Sequence, residues 1–210
     1  MSREIKLFKD YYDNGDKLFD KRSITFEPGL TVLVGCNGYG KTTLLQIIKD
    51  QLEDNEIDYS RYNNLRDGGS RATQKYGFYG QTELMVAGLV RSEGEFIYTN
   101  ICQLAQKIGQ GIRKARRDNK KEYWVLLDAI DSGLSIDNIL DIKANLFDVI
   151  LEDCKNTMDA YIIVSANSFE IARNERCLDV RRCKFKTFKS YNAYRNFVIK
   201  SFDRKTKYLK

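Results

Sequence analysis

Histidine does not occur anywhere in the 210 residues. That absence removes imidazole metal ligands, Ser-His-Asp triads and Cys-His nucleophile pairs. Proline occurs once, at Pro28, so the chain is neither a Pro-rich linker nor a collagen-like repeat. No run approaches the ~18 uninterrupted apolar residues of a membrane helix, and no membrane partner is expected. The five cysteines, Cys36, Cys102, Cys154, Cys177 and Cys183, are odd in number and contain no C-x-x-C pair. Free thiols are therefore expected, rather than a disulfide framework or a four-thiolate zinc site. The N-terminal stretch Met1-Ser-Arg-Glu-Ile-Lys6 carries charge but no apolar core. No secretory leader is expected there, and the cytoplasm is the expected location.

What remains is the composition of an ordinary folded domain: 42% apolar, 30% charged and 12% aromatic residues. The length suits a single domain over 1–210. The net charge of +6, from 35 basic and 29 acidic residues, is a mild bias compatible with nucleic acid.

The hydrophobic pattern predicts strands within 3–12 and 22–34, near 76–79, and at 123–127 and 161–164. Helical spacing marks 41–53, 95–117 and 136–154, and a basic, aromatic helix within 189–210. A hairpin is expected across Arg181-Arg182. Residues 55–75, polar and punctuated by Asn63-Asn64 and Gly68-Gly69, read as an exposed, mobile excursion. Strands alternating with helices predict an α/β fold with a mainly parallel sheet.

Gly35-Cys-Asn-Gly-Tyr-Gly-Lys-Thr42 fits G-x-x-x-x-G-K-[ST] between a buried strand and a helix, the setting this motif needs. Gly35, Gly38 and Gly40 let the backbone curl so that N–H groups converge on phosphate oxygens. The following helix adds its positive end. Lys41 is expected on the β- and γ-phosphates and Thr42 on Mg²⁺, with Asn37 and Thr43 completing the nucleotide set. Tyr123–Asp128 is an apolar strand ending in an acid. A carboxylate there can hold the metal shell opposite the loop.

Leu126-Leu-Asp-Ala-Ile-Asp-Ser-Gly-Leu-Ser135 resembles the Walker B and D-loop segment of ABC-class P-loop ATPases, usually L-L-D-E-P-T-S-G-L-D. Val34-Gly-Cys-Asn-Gly-Tyr-Gly-Lys-Thr-Thr43 looks like the same class, especially its SMC- and RecF-like branch, and so does Phe26-Glu-Pro-Gly-Leu-Thr-Val-Leu33. The resemblance covers roughly 20–170. It implies an ABC-type head with a reduced helical subdomain that binds ATP and Mg²⁺ and closes a head-to-tail homodimer around two nucleotides. Ser92-Glu-Gly-Glu95 resembles the signature that offers Ser92 and Gly94 to the partner's γ-phosphate. Ser92 also fits a capping box with Glu95, and the two roles are compatible. Gln81 resembles the glutamine that binds Mg²⁺ and the attacking water, with Gln74 a competitor.

Two departures matter. The family's general-base glutamate is replaced by Ala129, whose methyl cannot accept a proton, so slow or absent hydrolysis is expected. Asp131, two positions on, is the alternative base. The family's switch histidine is replaced by Asn167, which can bond a γ-phosphate but cannot shuttle a proton; a helix cap is its other role, shared with Ser168. The resemblance implies nucleic-acid maintenance or phage–host conflict. A non-catalytic adaptor recruiting an effector protein is the alternative. A transporter subunit would carry the histidine and a longer helical subdomain. Arg113, Lys114, Arg116, Arg117, Lys120 and Lys121 form a basic cluster that suits nucleic-acid phosphates or a solvated helix end.

Overall fold

The computed structural model describes residues 2–7, 17–67 and 93–207. The strand expected near 76–79, together with Gln81 and Ser92, lies outside these residues.

A six-stranded sheet forms the centre, ordered β4-β5-β6-β3-β7-β8. Its members are β3 (Gly29–Val34), β4 (Tyr59–Asn63), β5 (Glu122–Asp128), β6 (Asp159–Ser165), β7 (Arg176–Asp179) and β8 (Lys184–Lys186). All neighbours are parallel except β7 and β8, which form the expected hairpin. Strands β1 (Arg3–Lys6) and β2 (Ser23–Phe26) make a separate antiparallel pair.

Side chains alternate across the sheet, because successive strand residues point to opposite faces. Val125 and Leu127 join Ile162, Val164, Val32 and Val34 on one face. That face packs on α3 (Glu93–Arg117) through Ile101, Leu104, Ile108 and Ile112, and on the 136–154 helical segment. Trp124 and Leu126 join Tyr161, Ile163 and Leu33 on the other face, under α1 (Lys41–Asp54) and the β1–β2 pair. Trp124 and Tyr161, paired in register, stack with centroids 4.2 Å apart.

Two expectations change in detail. The segment 136–154 is α4 (Ile136–Ile142), a π-helical turn (Lys143–Phe147) and α5 (Asp148–Cys154). The wider turn lets the adjacent Leu146 and Phe147 both reach the core. The larger correction concerns 55–75. Its first half is no exposed excursion: it holds the edge strand β4 and the short α2 (Asn64–Asp67). Residues Tyr59-Ser-Arg-Tyr-Asn63 hide this because an edge strand keeps polar side chains and lacks a buried strand's apolar run. After β6 come α6 (Phe169–Ala172) and, beyond the hairpin, α7 (Tyr191–Lys207). Tyr194 and Phe197 dock α7 on the core, while Tyr191 and Phe202 stay exposed.

Candidate nucleotide site

Parallel strands bring their C-terminal ends to one edge, where α/β sheets bind ligands. Here β3 leads into the glycine loop, β5 ends at Asp128, β6 ends at Ser165 and β4 ends at Asn63. A cleft of about 540 Å³ opens there. Leu18, Asn37, Gly38, Tyr39, Gly40 and Lys41–Thr43 line it. Asp128, Ala129, Ser132, Ser165 and Asn167 line it as well.

The loop is a cradle that side chains would fill. Gly35 has φ +147, and a Cβ there would lie 2.1 Å from the Tyr39 ring. Gly38 and Gly40 have φ +71 and +93, in the left-handed region that L side chains resist. Gly40 caps α1 without any side-chain hydrogen bond. The first N–H groups of α1 therefore have no capping side chain and are free to serve an anion.

Lys41 is buried, 9% exposed, and its ammonium donates to the carbonyls of Gly35 at 2.7 Å and Cys36 at 3.2 Å. Burial lowers its pKa below the ordinary 10.5, while the nearby carboxylates of Asp131 and Asp128 oppose that shift. A cation desolvated in this way favours a polyanion beside it.

Opposite the loop, Asp128 is 4% exposed and held from both sides. The Ser165 hydroxyl donates to Oδ1 at 2.5 Å, and the Asn63 amide donates to Oδ2 at 2.9 Å. The Ser165 hydroxyl also accepts from the Ala129 N–H at 3.0 Å. Ala129 itself has φ +52. The neighbouring Asn64 donates to the Ser132 carbonyl at 2.7 Å, tying α2 to the loop that follows β5.

Asp131 faces backbone. Its Oδ2 accepts from the N–H groups of Asn167 at 2.7 Å and Ser168 at 2.5 Å. It is not among the residues lining the cleft, and its buried Oδ1 has no hydrogen-bond partner among the described residues. Ser168, not Asn167, caps α6, accepting from the Glu170 N–H at 3.1 Å. Asn167 is thereby left on the cleft wall. Gly94 lies in the first turn of α3.

These residues fit a nucleotide with Mg²⁺. The glycine cradle, the uncapped helix start and Lys41 are chemically complementary to phosphate. Among the described residues no three His, Cys, Asp or Glu side chains gather as a metal centre. Mg²⁺ on a nucleotide needs none, since it is held by one or two protein oxygens plus phosphates and water. Each Asp128 oxygen accepts one described hydrogen bond and keeps a second lone pair. Thr42 lines the same cleft.

Of the residues singled out from sequence, Asn37, Gly38, Gly40, Lys41, Thr42, Thr43, Asp128 and Asn167 share this cleft, and Gly35 opens the loop. Sequence reasoning missed Asn63, Ser132 and Ser165. The signal for Ser165 was its place at the end of a buried strand. Asn63 gave none, because Asn63-Asn64 reads as a turn.

In the basic cluster, Arg113, Arg116 and Arg117 line a surface cleft with Gln110. Arg116 is already engaged, donating to the Asp153 carbonyl at 3.0 Å and its carboxylate at 3.1 Å. Arg113, Lys114, Arg117, Lys120 and Lys121 are exposed. No described helix is long and apolar enough to cross a membrane.

Comparison with curated proteins finds no match. A solved ATP-binding cassette of an ABC transporter, in its ADP conformation, is 13% identical with a TM-score of 0.49. That alignment covers 96% of this chain and 97% of the other. The family model AAA_23, an AAA domain, matches residues 14–207. The family assignment agrees with the resemblance carried by the glycine loop and the strand ending at Asp128, and the chain is a P-loop ATPase belonging to the AAA_23 family of AAA domains.

Proposed function

We propose that the cleft binds ATP with Mg²⁺ and that two copies pair head to tail around two nucleotides, with slow hydrolysis. The observation that carries this reading is the meeting of the glycine cradle and Lys41 with the Asp128–Ser165 pair in one cleft. The loop N–H groups and Lys41 would hold the phosphates. Thr42 and Asp128, with Gln81, would hold Mg²⁺, which when bound neutralises charge on the β- and γ-phosphates. Asn167 would contact the γ-phosphate, and Ser92 and Gly94 of a second copy would complete its shell.

Slow turnover is supported by the side chain at 129. Ala129 lines the cleft beside Asp128 and offers no proton acceptor. Asp131, the alternative base, spends Oδ2 on the Asn167 turn. The exposed members of the basic cluster support nucleic acid as the partner in this reading.

Calorimetry tests the binding. The unmodified chain should bind ATP in the presence of Mg²⁺, and Lys41→Ala should lose that binding. Light scattering should show the mass doubling with ATP and returning when nucleotide is removed. If the unmodified chain and Lys41→Ala give the same null titration, the reading is wrong.

A further inference from the structure

Helix α7 reaches the glycine loop from the far end of the sequence. The Ser201 Oγ accepts from the Cys36 N–H at 2.9 Å. The Lys205 ammonium donates to the Asn37 carbonyl at 2.9 Å. Arg204 donates to the Tyr39 hydroxyl at 3.4 Å and pairs with Asp179 at 3.6 Å. Farther up the helix, the Tyr194 hydroxyl donates to the Asn167 carbonyl at 2.8 Å. One helix therefore touches both the glycine loop and the loop after β6, which line the same cleft.

We propose that Ser201 and Lys205 are positioning residues for phosphate binding, which fix the orientation of two peptide groups at the start of the glycine loop. The proposal rests on the ATP-binding reading above. Its geometry follows from the trans peptide, in which C=O and N–H point in opposite directions. None of the described peptides is cis. The Cys36 N–H is drawn toward Ser201, so the Gly35 carbonyl of the same peptide faces the opposite way. There it accepts from Lys41 at 2.7 Å. The Asn37 carbonyl is drawn toward Lys205, so the Gly38 N–H of that peptide faces away from α7. Gly38 lines the cleft. One contact thus sets a carbonyl on the Lys41 ammonium, and the other turns an N–H away from the helix, toward where phosphate would sit.

The Ser201 contact is built into the fold. Ser201 is fully buried and gives its own proton to the Val198 carbonyl at 2.7 Å, which leaves its lone pairs to Cys36. Lys205 passes close over the bare backbone of Gly38, where a Cβ would lie 2.6 Å from its ammonium. The φ of +71 at Gly38 independently favours glycine there.

A purely structural role for α7 is served by other residues. Tyr194 and Phe197 pack against Phe188, with ring centroids 5.3 Å away in each pair. The Lys205 contact is solvent-exposed and adds little to folding. Its removal should leave the nucleotide-free melting temperature unchanged while weakening nucleotide binding.

Calorimetric titration of the full chain with ATP·Mg²⁺ and ADP·Mg²⁺ tests this. Lys205→Met and Ser201→Ala should each weaken both nucleotides about tenfold, the scale of one charge-assisted or buried hydrogen bond. Lys205→Arg should restore affinity to within about twofold, as it keeps a cationic donor. Unchanged affinity in both Lys205→Met and Ser201→Ala overturns the inference while leaving ATP binding intact. A fall in the nucleotide-free melting temperature of Lys205→Met that accounts for its lost affinity also overturns it. Absence of binding by the unmodified chain overturns the ATP-binding reading itself.

Discussion

Asn63 and Asp128 sit side by side at the ends of parallel strands, and the Asn63 amide donates to the Asp128 carboxylate at 2.9 Å. With Ser165 on the other oxygen, the acid is fixed in rotation and translation before any ligand arrives. The polar edge strand β4 thereby belongs to the site, although its sequence looks like a loop.

Replacing Asn63 by Ala should therefore destabilise the fold by about 1–3 kcal/mol, since it leaves a buried carboxylate oxygen without its donor. The exposed Asn55 amide, which bonds the Gln51 carbonyl, is the control. Asn55→Ala should shift stability by no more than about 0.5 kcal/mol. Urea unfolding of both variants measures the difference, and equal effects would remove the special status of β4.

At position 129 a proton acceptor can be restored. Ala129→Glu should raise phosphate release by about 10²–10⁴-fold. The backbone already carries a Cβ at φ +52, so glutamate adds no new backbone strain. Equal, brisk release from both chains would show that the base comes from elsewhere.

Gly111 sets helix propensity against packing. Alanine is favoured over glycine inside a helix by about 1 kcal/mol. A Cβ at Gly111 would lie 2.0 Å from the Tyr123 hydroxyl, which bonds Ser60 at 2.7 Å. Overpacking of this kind costs about 1–3 kcal/mol, so Gly111→Ala should lower the melting temperature despite better propensity. A raised melting temperature would mean that Tyr123 moves freely aside.

The cysteines give a reactivity test and a pH test. Cys102 is exposed and the other four are buried. Ellman's reagent should therefore modify one thiol quickly in the native chain and all five in denaturant. Burial pushes the Cys177 thiol up to about 12 and Cys183 to about 11. Near pH 10 these thiols are ionised in the unfolded chain and still protonated in the native one. The unfolded state then binds fewer protons, so stability is full below pH 9 and falls as pH rises toward the folded values. The slope is about 1.4 kcal/mol per pH unit for each thiol. Melting curves from pH 8 to 10.5 should decline, and less steeply in Cys177→Ala.

Nucleic-acid binding, if the basic cluster mediates it, must depend on salt. Changing Arg113, Lys114 and Arg117 together to Ala should reduce the slope of log K against log salt by about 2–3 on duplex DNA. Arg116→Ala should change it least, because Asp153 already holds that guanidinium. No binding at low salt would dismiss nucleic acid as the partner.

Much of the architecture could be read from the chain alone. The strands containing Leu30–Val34, Val125–Leu127 and Ile162–Val164 are buried on both faces, so each appears as an apolar run. Long helices showed through their spacing, and the glycine loop through local geometry that only glycine tolerates. Asn63 and Ser165 were not singled out, because their contacts with Asp128 depend on the register of strands distant in sequence. Asp131 looked like a spare base beside Asp128. The fold places its Oδ2 on the N–H groups that follow β6, which no local pattern showed.

By itself, the sequence determined the α/β class, the phosphate loop and the missing proton acceptor at 129, because each is a property of consecutive residues. Tertiary structure alone decided what holds Asp128 and what grips the loop from outside. Ser165 and Asn63 come from two other strands, and Ser201 and Lys205 from the final helix. Hydrogen bonds between such distant segments depend on strand order and helix docking, which no local pattern encodes.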